Sequence, residues 1–279
     1  MLPPEYYDRF IGVTRLYGND AAAAFAQAHV CIVGIGGVGS WAAESLARSG
    51  IAALTLVDLD DICLNNTNRQ AHTLTNTIGR LKAEVMAERI RLINPSCKVT
   101  VRADFFTSES APNFFEPAAL PAHIGTRFSA VVDAIDSLKN KALLVAECLK
   151  REIPVIVSGG AGGRKNPNFL KTGTLGASHS DPLLKALRRE LRRTHAIDAA
   201  QYGGVPTAYS TEPLAMNHQN LLTHENCPSA APSTPLRSRR LDCASGFGTV
   251  MHITAGLGLQ LGHLVLEEIQ ARVPANRTT

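Results

Sequence analysis

The chain has 279 residues, 45% of them hydrophobic and 19% charged. This is a globular balance that excludes a disordered chain and suffices for one large domain or two unequal ones. A formal charge of +4 permits a polyanionic partner without requiring one. The six cysteines are scattered with no C-x-x-C pair, which excludes a spelled-out zinc knuckle or disulfide framework and fits a reducing compartment.

The first twenty residues mix Pro, Tyr, Asp and Arg with no apolar run, so no ordinary secretory signal is expected. Residues 1–27 read as an N-terminal helical arm. From Ala28 onward, short β-branched runs alternate with helical patterns. Strands are predicted at Val30–Val33, Leu54–Val57, Val99–Arg102, Ala130–Asp133 and Val155–Ser158, and helices at Val38–Ser49, Arg80–Ile93 and Leu138–Arg151. The alternation predicts an α/β fold with a doubly wound, mostly parallel Rossmann-like sheet over residues 28–163.

Beyond Gly159-Gly160 the rhythm breaks, and residues 164–279 read as a smaller, partly irregular substrate-side subdomain. It contains a charged segment at Pro182–Arg193, a Pro/Ser/Thr/Asn-rich tract at about 217–235 read as a mobile loop, and an apolar segment from Gly248 to Val273. His252, Gly256, Gly258, Gln260 and His263 interrupt that last run, so it is expected to pack on the first domain as a buried helix rather than span a membrane.

Val33-Gly34-Ile35-Gly36-Gly37-Val38-Gly39 follows the first strand and opens a helix, placing Gly34, Gly36 and Gly39 at the three positions of a dinucleotide fingerprint. Such glycines let backbone approach phosphate while the helix terminus supplies N–H donors and partial positive charge. Asp58 closes the second strand about twenty residues later, where a carboxylate accepts from ribose hydroxyls. These features serve NAD and ATP equally. Arg69 in the next loop and Lys82 at the next helix favour ATP, because a departing pyrophosphate needs its developing charge neutralised. Asp136, after the fourth strand, suits Mg²⁺ carried on a triphosphate, whereas Asp133 reads as equally suited to a structural role.

These residues resemble the ThiF/MoeB/HesA superfamily of adenylating enzymes, relatives of the ubiquitin-activating enzymes. The match runs through Gly34–Gly39, Asp58-Leu59-Asp60, Asn65-Asn66-Thr67-Asn68-Arg69-Gln70, Lys82 and Ala134-Ile135-Asp136-Ser137. Within it the chain resembles the tRNA threonylcarbamoyladenosine dehydratases, through Thr14-Arg15-Leu16-Tyr17-Gly18, Gly39-Ser40-Trp41-Ala42-Ala43-Glu44, the Asn65–Gln70 run and Leu241-Asp242-Cys243-Ala244-Ser245-Gly246-Phe247-Gly248. The resemblance implies ATP-dependent cyclisation of threonylcarbamoyladenosine in tRNA by carboxylate adenylation. It implies a nucleotide site made of Gly34, Gly36, Gly37, Gly39, Asp58, Asn66, Arg69, Lys82, Asp136 and Ser137. It further implies a homodimer in which Arg15 acts in trans on the partner's site, tRNA as partner, and a sulfur-transfer protein as a second one. The expected setting is the cytoplasm, or a mitochondrial surface in a eukaryote. Just before Ser210-Thr211-Glu212, where the family usually places a cysteine, Thr207, Ala208 and Tyr209 offer none, which speaks against a sulfur relay there, while Cys243 keeps its motif and is weighed as a nucleophile against simple packing.

Lys185–Arg193 and Arg237–Arg240 are basic enough to grip tRNA phosphates, with a solvated amphipathic helix as the plain alternative. His72, His252 and His263 read as core or surface residues rather than metal ligands, and Trp41 as core packing. Three further readings stay open: adenylation of a ubiquitin-like or sulfur-carrier C-terminus, an NAD-dependent oxidoreductase, and a binding-only relative.

Overall fold

The structure, a computed structural model, describes residues 4–115, 127–214 and 248–273. Three short helices form the arm: α1 (Pro4–Arg9), α2 (Ile11–Tyr17) and α3 (Asn19–Phe25). Then come β1 (His29–Val33), α4 (Gly39–Arg48), β2 (Ala53–Val57), α5 (Lys82–Ile93), β3 (Lys98–Arg102), α6 (Ala111–Phe114), β4 (Ala130–Asp133), α7 (Leu138–Lys150) and β5 (Val155–Ser158). The chain continues through β6 (Leu170–Thr174), α8 (Pro182–His195), α9 (Ala199–Tyr202), β7 (Pro206–Ser210) and α10 (Met251–Gln270).

One seven-stranded sheet runs β3-β2-β1-β4-β5-β7-β6. Every pairing is parallel except the antiparallel β6–β7 pair, so the mostly parallel, doubly wound α/β fold is observed. β1, β2, β4 and β5 are buried throughout, as continuous apolar runs covered on both faces must be. Alternate residues serve the two faces. Val30, Ile32, Leu54, Leu56 and Ile156 join the core shared with α4, α5 and α10, while Cys31, Val33, Val57, Val155 and Val157 join that shared with α6, α7 and α8. The order of successive strands reverses between β1 and β4, running outward to β3 on one side and to β5 on the other, which opens a crevice at their carboxyl ends.

β6 and β7 continue the same sheet beyond the boundary drawn at residue 163. The charged Pro182–Arg193 segment lies on α8, whose N-cap Asp181 accepts from the N–H groups of Leu183 and Leu184 at 2.9 and 3.1 Å. The tract at 217–235 lies outside the described residues. The apolar segment forms α10, seated on α4 through glycines. A Cβ at Gly258 would stand 2.5 Å from the Val38 oxygen, and one at Gly262 2.5 Å from Ser45 Oγ. Among the described residues no helix is long and apolar enough to cross a membrane.

Candidate nucleotide site

The crevice between β1 and β4 is a cleft of about 630 Å³. The glycine turn forms its floor. Gly34 has a φ of +90°, and a Cβ there would lie 2.8 Å from the Ala134 oxygen; one at Gly39 would lie 1.8 Å from the Gly34 oxygen. Both positions therefore require glycine so that β1, β4 and α4 can close together. Gly36 differs, because a Cβ there would meet nothing nearer than Gln70 Nε2 at 4.0 Å. The space above it is open, as a backbone approached by phosphate needs. Gly37 also lines the cleft, whereas Gly39 lies beneath it at the start of α4. The α4 N-cap, Val38, makes no side-chain capping bond, and although the Ser40 N–H donates to the Gly36 oxygen at 3.1 Å, the helix terminus still presents its partial positive charge to an anion.

Asp58 stands at the end of β2, buried, with Oδ2 accepting from the Ile35 N–H at 2.7 Å and Oδ1 from the Asp60 N–H at 2.9 Å. It shapes the glycine turn as well as lining the cleft. Burial pushes its carboxyl above the usual range, against the pull of Lys82 and these two N–H groups. His72 holds the same turn from behind. Its Nε2 lies 2.7 Å from the Ile35 oxygen, and because a carbonyl only accepts, Nε2 carries the proton. Burial drives the His72 pKa down to about 4.

The cations flank the turn. Lys82 Nζ pairs with Asp60 Oδ2 at 2.6 Å. Arg69 donates to the Asn65 oxygen at 2.8 Å and to Asn68 Oδ1 at 2.9 Å. The Arg69 carbonyl in turn accepts from Trp41 Nε1 at 2.9 Å and Thr254 Oγ1 at 3.3 Å. Trp41 is thus half-buried with its N–H committed to the site, rather than pure core packing as expected. Asn66 spends its amide inside the turn, accepting from the Cys63 N–H at 3.0 Å and donating to Asn65 Oδ1 at 3.0 Å.

Asp136 is exposed on the cleft wall after β4. Ser137 is the α7 N-cap and does not line the cleft. Asp133 proves structural: its carboxylate and Lys141 form a fully buried ion pair at 3.0 Å. Lys141 Nζ also donates to the Ile135 oxygen at 3.1 Å, fixing the strand end that carries Asp136. The far wall is the Gly159-Gly160 turn after β5, held by Asp181 Oδ2 accepting from the Gly160 N–H at 3.0 Å. Asp181 also pairs with buried Arg164 at 3.2 Å.

The structure therefore brings Gly34, Gly36, Gly37, Asp58, Asn66, Arg69, Lys82 and Asp136 to one cleft. Arg15 lies exposed on α2, outside the cleft of its own chain. Cys243 and Arg237–Arg240 fall outside the described residues. Sequence reasoning missed Thr254, Gln70, Phe105 and the Gly159-Gly160 turn as lining residues. Only Gln70 carried a signal, as the last residue of the Asn65–Gln70 motif. Ser210 and Glu212 are structural, with Glu212 Oε2 accepting from the Lys165 and Asn166 N–H groups at 3.0 and 2.9 Å.

A doubly wound sheet whose switch-point cleft carries an open glycine turn defines a nucleotide-binding α/β protein, and this chain is of that class. The ThiF family profile matches residues 7–271, and the chain belongs to that family. It is 43% identical over 266 residues to the tRNA threonylcarbamoyladenosine dehydratase of Escherichia coli K12, covering 95% of this chain and 94% of that one. It is 39% identical to the enzyme of the same name from Haemophilus influenzae, with the same coverage. The crystal structure of the E. coli dehydratase in complex with ATP superposes with a TM-score of 0.80 at 39% identity, over 97% of both chains.

Proposed function

We propose that this protein is an ATP-dependent tRNA threonylcarbamoyladenosine dehydratase. The observation that carries the proposal is the cleft itself: an uncapped helix terminus and open space above Gly36, flanked by Arg69 and Lys82. Full-length similarity to dehydratases, one of them solved with ATP, supports it.

ATP is consumed and is therefore a substrate. The carboxylate of the modified nucleoside attacks the α-phosphorus and pyrophosphate leaves. The carbamoyl group of the same nucleoside then attacks the activated carboxyl carbon, expels AMP and closes the ring. The oxygen of the lost water departs on AMP. A free carboxylate has no competent leaving group, and coupling to AMP supplies one. The second attack is intramolecular, so orientation replaces an encounter. Arg69 and Lys82 offset charge developing on the departing pyrophosphate, and the α4 N-terminus holds phosphate oxygens. Asp58 receives the ribose.

Asp136 is a single exposed carboxylate with no hydrogen-bond or ion-pair partner among the described residues, which fits magnesium borne mainly by the triphosphate. No three His, Cys, Asp or Glu side chains cluster to cage a metal among the described residues. The reading includes a homodimer with Arg15 serving the partner's cleft and, from the family resemblance alone, a sulfur-transfer protein as a second partner.

The test incubates the protein with ATP, magnesium and tRNA bearing threonylcarbamoyladenosine, then digests the RNA and weighs the nucleoside. Loss of one water's mass with stoichiometric AMP is expected. An unchanged nucleoside mass overturns the reading.

A further inference from the structure

Among the described residues, most arginines that reach the surface are matched by acids or by carbonyls. Arg48, Arg80, Arg151, Arg193 and Arg272 each pair with a glutamate. The outward face of α8 departs from that pattern. Lys185, Arg189 and Arg192 are exposed at positions i, i+4 and i+7, so they share one side of the helix. Among the described residues none of the three forms an ion pair, and Arg192 bonds only the Arg188 oxygen, at 3.4 Å. The acid on the same helix does not offset them, because Glu190 is turned inward and engages Arg193 and Thr194.

The helix beneath is rigidly seated. Leu184, Leu187 and Leu191 are buried in the core shared with α7. Arg188 cannot join the stripe, because it donates to the Leu175 and Ser178 oxygens at 3.0 Å and holds the turn before α8. The helix also starts at the nucleotide cleft: Leu183 lines it, and Asp181 fixes Gly160 on its far wall. The stripe therefore leads away from the cleft for about 10 Å.

We infer that this face of α8 is a contact for the phosphate backbone of tRNA, with Lys185, Arg189 and Arg192 as the gripping groups. The inference rests on the proposed dehydratase function and adds where the RNA lies beyond the modified nucleoside. Fixed cations on a rigid helix take up phosphates and release counterions, so the contact is read in the salt dependence of affinity.

The experiment compares wild-type protein with the triple variant K185Q/R189Q/R192Q and with a control, R91Q/K98Q/R272Q, that removes the same charge elsewhere. Affinity for tRNA is measured from low to moderate salt, alongside ATP affinity and melting temperature. In the α8 variant the slope of log affinity against log salt falls by about 2, as expected for loss of up to three phosphate contacts. ATP affinity and melting temperature stay at wild-type values, and the control keeps the wild-type slope. An unchanged slope in the α8 variant, or an equal fall in the control, overturns the inference while leaving the dehydratase reading intact. A wild-type protein with no salt-dependent tRNA affinity ends both, whereas failure of nucleoside dehydration with tRNA binding preserved ends only the activity.

Discussion

The indole N–H of Trp41 donates to the backbone carbonyl of Arg69 at 2.9 Å, tying the first helix after the glycine turn to the loop that carries this cleft-lining arginine. Trp41 is the only tryptophan in the chain. Its fluorescence should therefore change in intensity or wavelength when ATP enters the cleft. Trp41→Phe, which keeps the ring and removes the donor, should weaken ATP about fivefold, the worth of one hydrogen bond of roughly 1 kcal/mol. Equal ATP affinity in the two proteins would show that the tether does not position Arg69.

Arg69→Ala and Lys82→Ala should each lower turnover by about 10² to 10³, the usual cost of one preorganised donor to developing charge. Asp60, the Lys82 partner, is 53% exposed and is left in water, so the melting temperature of Lys82→Ala should stay near wild type. Wild-type rates of pyrophosphate release in either variant would remove the residue from the mechanism.

Breaking the Asp133–Lys141 pair should be costly for folding. Lys141→Met leaves a carboxylate buried without its cation, at roughly 3–5 kcal/mol, read as a lower urea midpoint. Lys141→Met with Asp133→Leu should recover much of that loss, since the pair contributes little net stability over apolar residues of similar size. A single variant as stable as wild type contradicts the buried-pair account.

His72 links the glycine turn to pH. Its folded-state pKa lies at about 4, against about 6.5 when unfolded. The unfolded chain thus binds the proton first. The contribution is complete above pH 6.5 and is lost as pH falls through 4, up to about 3 kcal/mol. His72→Gln should flatten the stability profile over that window relative to wild type. Parallel profiles for the two proteins would rule out His72 as the cause.

The proposed action of Arg15 in trans within a homodimer can be tested by mixing variants. Arg15→Ala and Lys82→Ala should each show only residual turnover alone. An equal mixture, re-paired at random, should regain about a quarter of wild-type activity, because half the dimers are mixed and each has one intact site. No recovery after verified exchange of subunits argues against action in trans.

The first five strands are legible because each is a short run with β-branched residues, four of them buried on both faces, and the structure places all five within a residue of expectation. β6 and β7 are not. β6 is a half-exposed edge strand containing Lys171 and Gly173, and β7 begins at Pro206, so neither shows an apolar run. The glycine turn, Asp58, Arg69 and Lys82 are readable because motif spacing places them at strand ends. Thr254 and the Asp181 hold on Gly160 are not, because they reach the cleft from remote segments through tertiary packing alone. Lys141 sits on a predicted helix, where a lysine ordinarily faces water, and nothing local signals that it is buried against Asp133.

The seating of α10 has a consequence for biosynthesis. Its glycines press on α4, and Thr254 reaches the Arg69 carbonyl, so the end of the sheet that receives nucleotide leans on residues far down the chain. Domains form as they emerge from the ribosome, and here the five-strand framework can assemble well before Gly262 has been translated. A nascent chain would then carry its first five strands before the segment that braces the nucleotide end of the sheet has been made.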